Sequence, residues 1–343
     1  MVTSETAAGP VPAIEVRDLT KRYRSSEVDA LRGVSFTVDE GEIFALLGRN
    51  GAGKSTAVRI LTTLLAPTAG SAAVVGMDVV QQAERVRRVI GTALQDAALD
   101  DLMTGHEHLV LAGRLAGLRR RRAAGRAQEV LEAFGLAAAA DRIAGQYSGG
   151  MRRRLDVAMA LVRRPRVLFL DEPTTGLDPQ SRRALWALIR SLCDEGSTVF
   201  LTTQYLTEAD ELSNRVAIVH EGVIAAVGQP RELKDRWATT TLRVQVGGSE
   251  PGEMLRRGLA DHPVSAGAEG WWVIGVPGGE PAIAAAVARL HAAGVAVERI
   301  AVDTPTLEDV FVGLTGTEIE SGPASGDGAV TAVRKAMGLG TSR

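Results

Sequence analysis

Ile43-Phe44-Ala45-Leu46-Leu47-Gly48-Arg49-Asn50-Gly51-Ala52-Gly53-Lys54-Ser55-Thr56 is an apolar, strand-like run that turns through glycines into a helical stretch. A strand before and a helix after are the context in which G-x-x-x-x-G-K-[ST] reads as a phosphate loop. Glycines let successive backbone N–H groups turn inward around phosphate oxygens, and the helix start adds the positive end of its dipole. Lys54 then neutralises β/γ-phosphate charge, and Ser55 is placed to ligate Mg²⁺. The residues from Gly48 to Thr56 are accordingly the expected nucleotide cradle, with ATP and Mg²⁺ as its cofactors.

Outward from this loop, apolar runs such as Val167–Leu170 and Thr198–Leu201 alternate with helical stretches such as Ser181–Cys193. That alternation predicts an α/β domain over 14–236 with a parallel sheet covered by helices. Residues 104–146 carry no strand-like run and are rich in Leu, Ala and Arg, which predicts a helical insertion, a subdomain of about 96–160. From 237 to 315 the order strand (Thr241–Val246), helix, short strand, strand (Trp271–Val276), helix, strand predicts a small α+β domain of ferredoxin-like type. Residues 1–13 read as a flexible lead-in and 316–343, rich in Gly, Ser and Ala, as a flexible tail.

The second chemical landmark is Val167-Leu168-Phe169-Leu170-Asp171-Glu172, an apolar run ending in two carboxylates. A buried strand of a parallel sheet delivers such residues to the carboxyl edge, where nucleotides bind. Asp171 is expected to hold the Mg²⁺ shell, and Glu172 to act as general base toward the attacking water. Between the two landmarks stands Tyr147-Ser148-Gly149-Gly150-Met151, opening the amphipathic helical run Arg152–Arg163. Alone, Ser-Gly-Gly is an N-cap with flexible residues.

In its place between the phosphate loop and the Asp-Glu strand, however, this segment resembles the signature motif of ATP-binding-cassette (ABC) ATPases. The other markers of that family follow in order: Tyr23, Gln95, Gly176-Leu177-Asp178-Pro179 and Gln204. The resemblance covers residues 14–236 and implies a homodimer in which Ser148, Gly149 and Gly150 contact the γ-phosphate held by the other subunit's loop. It further implies that Tyr23 stacks on adenine, Gln95 touches the metal or water, and Asp178 bridges the subunits. An ordinary half-buried strand aromatic is the alternative for Tyr23, and a solvated loop residue for Gln95 and Asp178. Tyr147, Met151 and Gln204 depart from the commonest pattern of Leu, Gln and His. Gln204 matters most, since an amide can hydrogen-bond phosphate but cannot become cationic, so hydrolysis is expected to lack a histidine-type pH response.

The segments Leu201–Leu206, Ala93–Asp96, Leu102–Gly105 and Thr306–Phe311 resemble the daunorubicin/doxorubicin-resistance exporter ATPases. That implies a separate multi-span membrane permease as partner and a peripheral position on the cytoplasmic side of the membrane. Ribosome- or DNA-acting ABC proteins are the rival reading. They usually carry two cassettes or long coiled-coil insertions, whereas this chain has one Gly-Lys-Ser and only a short stretch between loop and signature. A nucleotide sensor without turnover is the third, opposed by Glu172.

Composition sets the remaining bounds. With 45% hydrophobic and 23% charged residues, the 343-residue chain has the balance of a globular protein large enough for two domains. A net charge of −2 offers no footprint for nucleic acid. The single cysteine, Cys193, excludes an internal disulfide. No apolar run approaches a membrane span and the N-terminus lacks the features of a signal peptide, so any membrane part is expected on another chain. Arg119–Arg122 reads as a solvated helix end or as a contact for permease or acidic headgroups. Trp271 and Trp272 alternate faces on a strand, one core and one exposed.

Overall fold

The computed structural model describes residues 11–24, 27–95, 99–237, 240–247, 251–277 and 279–316. Most of the expected lead-in (1–10) and nearly all of the tail (317–343) lie outside the described residues. The chain divides into two compact units between Gln229 and Pro230.

The first unit opens with the antiparallel pair β1 (Ile14–Arg22) and β2 (Asp29–Val38) and continues through β3 (Ile43–Leu47) into α1 (Lys54–Leu61). Strands β4 (Ala69–Val74) and β5 (Met77–Asp78) complete a small antiparallel sheet in the order β2-β1-β4-β5. Helix α2 (Ala83–Val89) leads to β6 (Ile90–Ala93), and the helical insertion follows as α3 (Gly105–Leu115), α4 (Arg120–Ala133) and α5 (Gly149–Leu161). Next come β7 (Val167–Asp171), α6 (Pro179–Asp194), β8 (Thr198–Thr203) and α7 (Leu206–Leu212), then the hairpin β9 (Arg215–His220) and β10 (Val223–Gly228). These build a second sheet in the order β10-β9-β3-β8-β7-β6, parallel throughout except for β10.

The sequence pattern predicted one parallel sheet for this whole region. The separate antiparallel sheet has a physical cause: β1 and β2 mix buried with exposed positions, whereas β3, β7 and β8 are buried at every position. Strands with one wet face belong to antiparallel sheets, and strands covered on both faces to parallel ones. Phe36 on β2 joins the two sheets. Its ring lies 5.4 Å from Phe44 on β3 and 5.9 Å from Phe200 on β8, and Phe169 on β7 stands 5.6 Å from Phe200. Each of these buried rings contributes about 2–3 kcal/mol of transfer free energy.

The second unit begins with α8 (Pro230–Trp237), followed by β11 (Thr240–Val246), α9 (Pro251–Gly258), β12 (Val264–Ala266) and β13 (Trp271–Val276). It ends with α10 (Gly279–Ala292), β14 (Val297–Asp303) and α11 (Leu307–Thr315). The sheet is antiparallel, in the order β12-β13-β11-β14. One face carries Leu242, Val244, Ile274 and Val276 against Leu255 of α9 and Ile283 and Leu290 of α10. Helix α8, which the sequence reading kept with the first domain, packs here against α11. The two tryptophans do alternate faces but neither is fully buried. Trp272 lies against the core, and Trp271 is flanked by the guanidinium groups of Arg243 and Arg299. Among the described residues no helix is long and apolar enough to cross a membrane.

Candidate active site

Strand β3 runs buried to Leu47, and Gly48 continues its direction by donating its N–H to Thr203 O at 3.2 Å. Two positions require glycine. A Cβ on Gly48 would lie 2.5 Å from Val219 O, and one on Gly53 would lie 2.4 Å from Ala30 O at a φ of +103°. Gly53 is also the residue that caps α1, and it has no side chain with which to bond the first-turn amides. Those amides have no intrahelical acceptor either, so they face outward with the positive end of the helix dipole. Helices α3, α5, α6 and α11, in contrast, start on Thr104, Ser148, Asp178 and Thr306, each accepting a backbone N–H. An uncapped start without acidic residues in its first turn fits an anion.

Lys54, 4% exposed, is folded back over the loop: its Nζ donates to Gly48 O at 2.9 Å and Arg49 O at 3.1 Å, and meets Glu172 Oε1 at 3.1 Å. Arg49, Asn50 and Gly51 are exposed along the rim, Ala52 and Thr56 are buried, and Ser55 is half-buried.

Asp171, the last residue of β7, is buried beside this loop. Its Oδ1 accepts from Thr202 Oγ1 at 2.5 Å and from Ser55 Oγ at 3.3 Å. Glu172 follows with a φ of +47°, a region non-glycine residues avoid. Its N–H is directed at both Thr202 O and Thr202 Oγ1, at 3.1 Å each, and its Oε2 accepts from Thr175 Oγ1 at 3.4 Å. Ser55 and Asp171 together offer a hydroxyl and a carboxylate oxygen, the hard donors that suit Mg²⁺ when substrate phosphate and water supply the rest. Among the described residues no group of three or more His, Cys, Asp or Glu side chains forms a closed metal cage.

The parallel register brings three more candidates to this edge. Ala93 pairs with Leu170 and Asp171 with Thr202, so Gln95, Glu172 and Gln204 leave the carboxyl ends of β6, β7 and β8 side by side. Gln95 is exposed and Gln204 half-buried; residues 96–98 lie outside the described residues. Tyr23, just past β1, hydrogen-bonds through its hydroxyl with Thr56 Oγ1 at 3.2 Å, which sets its ring beside the loop.

Ser148, Gly149, Gly150 and Asp178 form no hydrogen bond with the phosphate loop. Ser148 Oγ accepts from Met151 N–H at 3.3 Å, and Asp178 caps α6 by accepting from Ser181 N–H at 2.9 Å and its hydroxyl at 2.6 Å. Ser181 holds the Asp178 carboxyl below the usual carboxylate range. Ser148 and Gly149 are exposed, and Gly150 is pressed so closely on Ser181 that a Cβ would meet its Oγ at 2.5 Å.

Several residues at this edge escaped the sequence reading. Thr202 binds both carboxylate residues from the neighbouring strand, and only strand register could have revealed it. Arg153 of α5 reaches the backbone around Glu172. Glu208 of α7 is fully buried, accepts from Trp186 Nε1 at 2.9 Å, and has its carboxyl pushed up by that burial.

A glycine cradle opening an uncapped helix, with a lysine and two buried carboxylates facing it, defines a nucleoside-triphosphatase of the phosphate-loop class. The chain belongs to the ABC transporter family, as an ABC-type ATPase, and the family's model matches residues 31–175. It is 48% identical over 237 residues to the daunorubicin/doxorubicin resistance ATP-binding protein DrrA of Streptomyces peucetius, covering 69% of this chain and 71% of that protein. With the doxorubicin resistance ATP-binding protein DrrA of Mycobacterium tuberculosis it shares 42% identity over 325 residues, covering 90% of this chain and 95% of that one. Among solved structures, a dimeric ATP-binding cassette in a post-hydrolysis state with ADP and phosphate matches with a TM-score of 0.58 and 27% identity, over 63% of this chain and 98% of that one.

Proposed function

We propose that this chain is the motor subunit of a two-component exporter. Two copies enclose ATP between each copy's phosphate loop and the other's Ser148-Gly149-Gly150, and a separate multi-span permease carries a drug-like, hydrophobic cargo. The cargo class rests on the names of the DrrA relatives, and a peripheral position at the cytoplasmic face follows from a permease partner. In this reading Tyr23 stacks on adenine, the amides from Gly48 to Thr56 hold the phosphates, and Asp178 lies at the junction of the two copies. Ser55 and Asp171, with Gln95 beside them, would hold Mg²⁺, which would supply positive charge against the phosphates. The C-terminal unit is of ferredoxin-like type.

The observation that carries the proposal is the ion pair of Lys54 with Glu172, both nearly inaccessible to solvent, at the mouth of the cradle. Phosphate is a stronger competitor for the ammonium than one carboxylate. Its arrival draws Lys54 away and leaves Glu172 as a free base in a site with little water, ready to accept a proton from the attacking water. Gln204, on the neighbouring strand end, donates to the γ-phosphate as a neutral amide.

The test is Mg²⁺-dependent ATP turnover of the purified chain beside Lys54→Ala and Glu172→Gln, with light scattering to follow ATP-driven dimerisation. Both variants are expected to lose turnover by roughly 10²–10³-fold, and Glu172→Gln to dimerise with ATP. Undiminished turnover in Glu172→Gln would sink the assignment of the base.

A further inference from the structure

Three consecutive arginines follow the Ser148 helix start, and they go to different places. Arg152 reaches Asp101 and Ala144 O, and Arg154 reaches Phe134 O and Gly150 O. Arg153 alone enters the sheet edge, where it is 8% exposed. Its Nε donates to Pro173 O at 2.9 Å, Nη2 to Asp171 O at 2.8 Å, and Nη1 both to Leu94 O at 2.7 Å and to Asp156 Oδ2 at 2.8 Å.

We infer that Arg153 is a positioning residue for hydrolysis: one guanidinium clasps the backbone on both sides of Glu172 and ties the strand end bearing Gln95 to it. The inference rests on Glu172 being the base. The peptide joining Asp171 to Glu172 is pinned at both ends, its carbonyl by Arg153 and its N–H by Thr202. Pro173 has no N–H through which to be fixed, so its carbonyl is the handle on the other side. These restraints hold Glu172 in its left-handed backbone conformation and so fix where its carboxylate starts. Only a planar fork with several donors can span three carbonyls on two strand ends, which an ammonium cannot do. Because Arg153 lies one helical turn into α5, a displacement of the Ser148 end is transmitted through it to Glu172 and to the segment before Gln95.

The experiment compares Arg153→Lys with the intact chain in turnover, in affinity for a fluorescent ATP analogue and in thermal melting, and repeats the substitution in a Glu172→Gln background. The expected result is a kcat about 30-fold lower with KM and analogue affinity within about twofold, and no further loss of turnover when Glu172 is already Gln. Unchanged kcat, a matching loss of kcat and nucleotide affinity, or an additive loss in the Glu172→Gln background overturns it. Full turnover in Glu172→Gln itself defeats the base assignment, whereas a dead Glu172→Gln beside a fully active Arg153→Lys defeats the clamp alone. If Arg153→Lys does not melt cooperatively, Asp156→Asn decides. It takes the negative charge off one of the four acceptors and so weakens that bond, which is expected to lower kcat about threefold at unchanged KM, and an unaltered kcat there overturns the inference.

Discussion

Helices α1 and α5 begin with similar wording, Gly51-Ala52-Gly53-Lys54 and Ser148-Gly149-Gly150-Met151, yet treat their first amides in opposite ways. Helix α5 satisfies itself, Ser148 Oγ taking the Met151 N–H, and it presents an exposed, finished start. Helix α1 starts on a side-chain-free Gly53, is buried, and keeps a lysine folded over its open amides. The difference teaches that glycine near a helix start does not by itself make an anion site. What makes one is the missing cap together with a cation that has no better partner than a nearby carboxylate.

Alanine at matching glycines breaks this comparison most severely. In Gly53→Ala the new methyl meets Ala30 O at a φ of +103°, whereas the space around Gly149 is open. Gly53→Ala is expected to cost about 2–4 kcal/mol of stability and to abolish binding of a fluorescent ATP analogue. Gly149→Ala is expected to keep both, so equal losses in the two variants would remove the distinction. An intermediate effect comes from further along α5, where burial pushes the Asp156 carboxyl up from 3.8 to about 6. A raised carboxyl pKa contributes stability that is fully present below the unfolded value and is lost as pH rises through the folded one. On going from pH 7.5 to 5.5, the intact chain should therefore gain about 1 kcal/mol relative to Asp156→Asn, read from paired melting curves. Its kcat should meanwhile fall toward that of the variant as the charge-assisted bond to Arg153 is lost. The smallest effect is Ser148→Ala, which removes a cap worth about 1 kcal/mol and should lower the melting temperature by roughly 2–4 °C without changing nucleotide affinity of the single chain. A loss of affinity there would mean that the α5 start serves the loop of its own chain.

The phosphate loop and the Asp171-Glu172 strand end were legible because each is a contiguous run whose chemistry is fixed by spacing and by the strand that leads into it. Thr202 was not, since nothing near Leu201-Thr202-Thr203 says that this residue stands opposite Asp171; only the register of β7 on β8 does. Arg153 was hidden for a related reason. Arg152–Arg163 reads as an amphipathic helix, but which of three adjacent arginines turns inward depends on how α5 is rotated against the sheet. The antiparallel sheet was missed because, although β1 and β2 are neighbours in sequence, the ladder that completes the sheet ties β1 to the distant β4. In the second unit the run of strands and helices was readable from local pattern, while the partner of α8 was set by packing against α11, well beyond any local window.

The column of rings from Phe36 through Phe44 and Phe200 to Phe169 has a metric consequence. Tyr23 hangs from the end of β1 in one sheet and the phosphate loop from the end of β3 in the other, and the column bolts those sheets together. The distance from Tyr23 to Lys54 is therefore held from two sides, by this packed core and by the hydrogen bond between the Tyr23 hydroxyl and Thr56 Oγ1.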